Sequence, residues 1–226
     1  MTDRRDLHVQ RLLFDVDWAI QNQLGPRDLV PMLNKLMHVA PAGSDAALFA
    51  RRQLAETILQ SAPWRAAVLL REVLAQHDDD RAWALLGLCH TLLGHYRCAT
   101  QAYSRAMALT PDNPWYAHNL GHVLDVALEQ PEQALRHLRF AYRQLKSDPE
   151  VASSYAHALA HAGRVPDAER ILSRALRDPD RAREILHTWL SGGGSAAPSD
   201  ATATTARRRR VRRPPAQVRR KRALII

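Results

Sequence analysis

The chain has 226 residues, of which 46% are apolar and only 6% are aromatic, and its formal net charge is +9. This composition favours helices over sheets, and the absence of a run of about 18 apolar residues excludes a transmembrane helix. Two cysteines exclude a disulfide-stapled fold, so Cys89 and Cys98 are expected to be reduced packing residues. The charged residues 1–6 do not resemble a secretory signal, and a cytoplasmic location is expected.

An amphipathic helical pair is predicted over residues 1–40. Gly25 followed by Pro26 is typical of one helix ending and another beginning. The two helices are expected to cap the first face of the following domain; a dimer contact or an extra divergent repeat are the alternatives. Their inward residues are predicted to be Val9, Leu12, Leu13, Val16 and Ile20, then Leu29, Met32, Leu33 and Leu36.

Residues 45–190 repeat with a period of 34 or 35 residues. Such a period indicates stacked helix pairs, because one pair cannot bury its apolar face alone. About four pairs are predicted, over 45–80, 81–113, 114–147 and 148–179, followed by a capping helix over 181–190. A one-residue insertion is expected around 129–131 in the third pair. The equivalent positions in successive repeats are Leu86, Leu120 and Tyr155; Gly87, Gly121 and Ala156; Ala99, Ala134 and Ala168; Tyr103, Leu138 and Leu172; and Ala106, Ala141 and Ala175.

The last 36 residues differ in composition from the repeats. Residues 191–206 are rich in Gly, Ser, Ala and Thr, which predicts a flexible linker. Residues 207–226 contain ten cations and no acid, so the remaining chain carries a charge of only −1. A disordered tail that binds a polyanion is predicted, either nucleic acid, an anionic membrane surface or an acidic partner. The alternative is a solvated tail that serves only for solubility. Its cations are Arg207, Arg208, Arg209, Arg210, Arg212, Arg213, Arg219, Arg220, Lys221 and Arg222.

The second repeat resembles the tetratricopeptide repeat (TPR). The resemblance rests on Trp83-x2-Leu86-Gly87, Gly94, Ala99-x3-Tyr103, Ala106 and Pro111, and extends in weaker form over residues 45–180. It implies an all-α, TPR-type α-solenoid in which the first helices line a concave groove that holds a partner segment. Carried over residue by residue, the groove comprises Arg81, Ala84, Leu88, Trp115, His118, His122, Asp125, Glu150, Ser153, His157 and His161.

Some TPR proteins grip a C-terminal carboxylate with paired Lys and Asn residues on successive first helices. At the corresponding places this chain has alanine, leucine, serine and histidine, so that clamp is not expected. The positions are Ala84, Leu88, His118, His122, Ser153 and His157.

Two histidine pairs share helical faces, since His118 and His122, and His157 and His161, are each four residues apart. Four imidazoles in one groove could bind a transition metal, sense pH, or hydrogen-bond a peptide. No metalloprotease glutamate and no cysteine accompanies them, so no metal and no cofactor is predicted. Nucleophile elbows, phosphate loops and paired catalytic carboxylates are also absent from the sequence, and no catalytic residue is predicted.

The sequence therefore predicts a non-catalytic interaction scaffold with a protein or peptide in its groove and a polyanion on its tail. One alternative is a chaperone of the type III secretion kind, which the stretch from Asp80-Arg81 to Leu93-Gly94-His95-Tyr96 resembles. Another is a nucleic-acid-binding protein whose repeats dimerise or position the tail.

Overall fold

The computed structural model describes residues 4–191, and in this range the chain is all-α. The predicted basic tail and most of the linker lie outside the described residues. Residues 4–191 form eleven α-helices and one π-helical turn, and within each of the two units described below consecutive helices pack on one another. This arrangement confirms the predicted all-α fold of helix pairs with flanking helices. The elements are α1 (Arg4–Gln21), α2 (Pro26–Val39), α3 (Asp45–Ile58), α4 (Pro63–Leu74), α5 (Asp80–Leu92), α6 (Tyr96–Leu109), α7 (Pro114–His122), the π turn (Val123–Ala127), α8 (Pro131–Gln144), α9 (Pro149–His161), α10 (Val165–Leu176) and α11 (Pro179–Leu190).

The chain divides into two compact units after Asp112. The first unit contains α1 to α6, and the second contains α7 to α11. None of the helices within residues 4–191 is long and apolar enough to cross a bilayer.

Side-chain caps fix where the first helix of each repeat begins. The Asp79 side chain accepts a hydrogen bond from the Ala82 amide at the start of α5. In the same way Asn113 accepts one from the second residue of α7, and Asp148 accepts one from the second residue of α9. A proline follows directly at the first position of α7 and of α9. The cap satisfies an amide that the helix itself leaves without a partner, and proline has no amide to satisfy.

In the first unit, α1 packs on α2, and α2 covers α3. Val9, Leu12 and Val16 of α1 are buried, and so are Leu29, Leu33 and Leu36 of α2. This packing is what a capping pair requires. The opposite face of α1 exposes Leu7, Phe14 and Trp18.

The two cysteines have different surroundings. Cys89 is buried in α5, and burial raises the pKa of its thiol to about 12. Cys98 is exposed near the start of α6, so the prediction that it packs in the core is wrong. Cys98 lies one residue before the buried Ala99, and the rotation of about 100° per residue turns its side chain away from the core.

The insertion in the third repeat takes the form of the π turn. Its amide–carbonyl bond from Leu128 to Val123 spans five residues at 3.1 Å, one residue more than in an α-helix. The extra residue is thus absorbed at Val123–Ala127, slightly before the predicted 129–131. Glu129 then adopts a φ of 53°, at the place where the neighbouring repeats have Gly94 and Gly163 with φ near 75°.

The two helices of a pair can approach closely because a glycine in the first helix has no side chain. A Cβ atom placed on Gly121 would lie 2.6 Å from Leu138 Cγ, and one on Gly87 would lie 2.8 Å from the buried Tyr103 ring. In the fourth repeat the equivalent Ala156 is buried, and a methyl group fits there.

Replacement of Gly121 by alanine is expected to destabilise the second unit by about 1–3 kcal/mol, the usual effect of overpacking a core. Helix propensity alone would have the opposite effect, because alanine is favoured over glycine in a helix and would raise the free energy of unfolding by about 1 kcal/mol. Urea unfolding followed by circular dichroism measures the difference. The control is Ala156→Gly, which is expected to lose about 1 kcal/mol or less through propensity. A stabilised Gly121→Ala protein would contradict the packing argument.

Candidate functional site

Consecutive first helices meet through polar side chains in both units. In the first unit, Arg81 Nη2 of α5 donates to both carboxylate oxygens of Glu56 on α3, at 2.5 and 2.6 Å. Arg52 of α3 pairs with Asp79, the cap of α5. The predicted groove residue Arg81 is therefore half-buried and already held by an acid, whereas Ala84 and Leu88 are buried in the core.

In the second unit, His118 lies between α7 and α9. It is only 3% exposed, with its Nε2 3.0 Å from Ser154 Oγ and its Nδ1 3.3 Å from Asn119 Oδ1. Ser154 and Asn119 were not among the predicted site residues. The helical face inferred from the repeat register selected Ser153, which is half-buried, instead of its neighbour.

His122 lies one helical turn after His118, and the two rings stack with centroids 6.0 Å apart. Trp115 meets His118 edge-on at 6.2 Å and is itself buried. His122 Nδ1 and Trp115 Nε1 are buried and have no hydrogen-bond partner within residues 4–191. These three residues form the α7 side of the site.

Asp125 is the charged centre of the site. The π turn places its carboxylate against α9, where it is 1% exposed. Its Oδ2 lies 2.6 Å from His157 Nδ1, and its Oδ1 lies 3.7 Å from His161 Nδ1. Since 32 residues separate Asp125 from His157, only the packing of the third repeat on the fourth brings them together.

The α9 side of the site is more open. The rings of His157 and His161 lie 4.0 Å apart, and His161 is exposed. Trp189 of the capping helix α11 meets His157 edge-on at 4.9 Å. The sequence predicted only a capping helix over 181–190 and did not connect this helix to the site.

Burial lowers the pKa of three imidazoles of the site. It lowers the pKa of His118 to about 4, and repulsion from His122 acts in the same direction. Burial also lowers the pKa of His122, which the nearby Asp125 carboxylate opposes. Burial and then His157 lower the pKa of His161.

The structure therefore collects six of the predicted groove residues in one cluster of the second unit, which we call the imidazole–carboxylate cluster. Glu150, exposed in the first turn of α9, and Ser153 lie on the same helix. Whether these residues contact a partner stays a prediction. The members of the cluster are Trp115, His118, His122, Asp125, His157 and His161.

Comparisons with known proteins agree with the helix-pair geometry. A family model described as a tetratricopeptide repeat matches residues 125–181, which span the π turn, α8, α9 and α10. Residues 125–181 thus match the tetratricopeptide repeat family. The resemblance predicted from the second repeat is confirmed.

Solved structures similar to this chain include several of MamA. MamA from Desulfovibrio magneticus RS-1 is 12% identical, with a TM-score of 0.66, over 78% of this chain and 97% of that one. Another crystal structure of MamA is 17% identical, with a TM-score of 0.59, over 81% of this chain and 99% of that one. These identities establish a shared fold alone. No curated protein matches the chain.

The buried His118 predicts an acid-sensitive fold. Its pKa of about 4 in the folded chain is below the ordinary 6.5, so the unfolded chain binds the extra proton between these values. The free energy of unfolding is expected to fall as pH decreases from 6.5 to 4, with His118 contributing up to about 3 kcal/mol. Its neighbours across the interface are Ser154 and the capping carboxylate Asp148.

Urea unfolding across this pH range tests the expectation. In His118→Gln the pH dependence should be shallower than in the unaltered chain. The matched variant His187→Gln changes an exposed residue of α11 and should keep the original dependence. Equal pH dependence in His118→Gln and the unaltered chain would contradict the assignment to His118.

Proposed function

We propose that this chain is a non-catalytic protein-interaction scaffold whose first-helix faces bind a partner polypeptide. The supporting observation is the polar character of those faces beside an apolar interior. The second helices bury Tyr103, Leu138 and Leu172 completely or nearly so. The first-helix side of the second unit buries apolar residues too, but it also buries the polar residues His118, Asn119 and Asp125.

Stability does not explain these buried polar residues. Moving a carboxylate or an imidazole out of water costs free energy, which a well-packed apolar residue would avoid. Three buried groups of the cluster also lack a hydrogen-bond partner within the described range, namely Trp115 Nε1, His122 Nδ1 and Asp125 Oδ1. Polar residues retained at such a cost are typical of recognition surfaces.

The accessible part of this surface indicates how a partner would be held. In the second unit, Glu150, Ser153 and His161 lie along α9 and offer a carboxylate, a hydroxyl and an imidazole. Such groups hydrogen-bond the backbone and polar side chains of a polypeptide segment. Binding at this surface would therefore depend on hydrogen bonds to the partner and not on an apolar pocket that holds one of its side chains.

The Arg-rich tail is proposed to add a polyanion contact to the scaffold. Ten cations lie within residues 207–222, with no aromatic residue among them. Arginine binds phosphate through its planar fork, and base stacking would need aromatic side chains. The proposed contact is therefore electrostatic and independent of base sequence.

Substitution of Ser153 by arginine tests the partner surface. Its long charged side chain should obstruct the α9 face, and proteins captured specifically from a lysate should fall at least tenfold in quantitative mass spectrometry. The matched control is Ser173→Arg on α10, which makes the same change at a similarly half-buried position on a second helix. Helix content by circular dichroism must be unchanged in both variants.

The same captured proteins at the same abundance in Ser153→Arg and Ser173→Arg would contradict the proposed surface. If both variants lose the captured proteins, either the contact lies elsewhere or the substitutions impair folding. Both results argue against the proposed partner surface on α9.

The tail is tested by the salt dependence of duplex DNA binding. Each phosphate contact contributes about 0.9 to the slope of log K against log salt. Replacement of Arg207, Arg208, Arg209 and Arg210 by glutamine should reduce the slope by up to about 3.6, and deletion of residues 207–226 should abolish binding. Persistence of binding after the deletion would show that the tail is not the polyanion site.

A further inference from the structure

We propose that Asp125, His157 and His161 form a binding site for one zinc ion. Each residue offers one ligand atom, and the three atoms lie within 4.8 Å of one another. The inference concerns the second unit alone and does not depend on the proposed partner surface. It revises the expectation from the sequence that the histidines bind no metal.

The sequence placed Asp125 in the same predicted groove as the histidines but did not connect its carboxylate with a metal site. The pair His157 and His161 presents two imidazoles from successive turns of α9, and the π turn supplies Asp125 from the opposite side. Two His and one acidic residue form a common three-ligand set for zinc in proteins, with a fourth position left open. The exposed side of His161 gives water access to that position.

The distances are close to those that a bound ion needs. Zinc–ligand bonds of about 2.0–2.2 Å in a tetrahedron place ligand atoms about 3.4 Å apart. The separations from the Asp125 oxygens are 2.6 Å to His157 Nδ1 and 3.7 Å to His161 Nδ1. Since the three ligand atoms lie within 4.8 Å of one another, adjustments of about 1.4 Å or less reach the tetrahedral spacing. His161 lies on the exposed side of the site.

A second, independent observation concerns Asp125 Oδ1. The oxygen is fully buried, the residue is 1% exposed, and no hydrogen-bond donor satisfies this oxygen within residues 4–191. A buried carboxylate oxygen without a donor is strongly unfavourable. A cation between this oxygen and the two imidazoles supplies the missing interaction.

The donor set selects the kind of metal. Calcium and magnesium prefer coordination by oxygen atoms, whereas imidazole suits zinc and the later transition metals. The same three residues without a metal would be an ion pair between Asp125 and His157 with His161 beside it. A titration with zinc distinguishes the two interpretations, because only a metal site binds the ion.

Isothermal titration of the full chain with zinc chloride, in a buffer without chelator, tests the site. We expect saturable binding of one ion per chain with a Kd in the micromolar range or below. His161→Ala should weaken binding at least tenfold, and because this residue is exposed the variant should fold normally. Asp125→Asn, which preserves the shape of the side chain, should weaken binding to a similar degree.

The matched control is His187→Ala, an exposed histidine on α11 that should leave the affinity unchanged. Substitution of Co²⁺ for zinc adds a second readout, because its visible absorption bands report tetrahedral coordination. Absence of saturable binding would overturn the proposal. Equal affinity in His161→Ala and His187→Ala would also overturn it, since the ion would then be held elsewhere.

These outcomes are distinguishable from those of the partner experiment. Ser153→Arg leaves all three proposed ligands in place and should still bind zinc. Loss of captured proteins with zinc binding intact would support the surface on α9, whereas failure to bind zinc in the unaltered chain would refute the metal site alone.

Discussion

The structure depends on how closely the two helices of each repeat approach. Gly87 and Gly121 permit this approach, because the ring of Tyr103 and the side chain of Leu138 occupy the space where a Cβ would lie. The two helices of these repeats are therefore in close apolar contact. Consecutive first helices also meet, and there they use polar side chains.

Both units place polar side chains between consecutive first helices, but the side chains differ in chemistry. The first unit links its first helices by arginine–carboxylate pairs, Arg81 with Glu56 and Arg52 with Asp79. The second unit links them by imidazoles and one carboxylate, with His118 against Ser154 and Asp125 against His157. Guanidinium groups remain charged at every physiological pH, whereas imidazoles change charge and bind metals. The second unit is thus the part of the described chain where ligand binding can be coupled to packing.

Much of this arrangement follows from the sequence, and the errors have identifiable causes. The period of 34 or 35 residues predicted the helix pairs and the small residues between them, because each small residue recurs at the same place in a helix. The same register selected Ser153 instead of Ser154 as the contact, since one residue rotates the side chain by about 100° around the helix. It also treated Ala84 and Leu88 as surface residues, although helices packed on both sides bury them.

The sequence by itself determined the helix pairs, the spacing of the two histidine pairs and the concentration of positive charge in residues 207–222. Each of these properties depends on local periodicity or composition. Only the tertiary structure decided that Asp125 meets His157 and His161, and that His118 is buried instead of lining a surface. The π turn redirects Asp125, and contact across 32 residues depends on how two repeats pack, which no local pattern specifies.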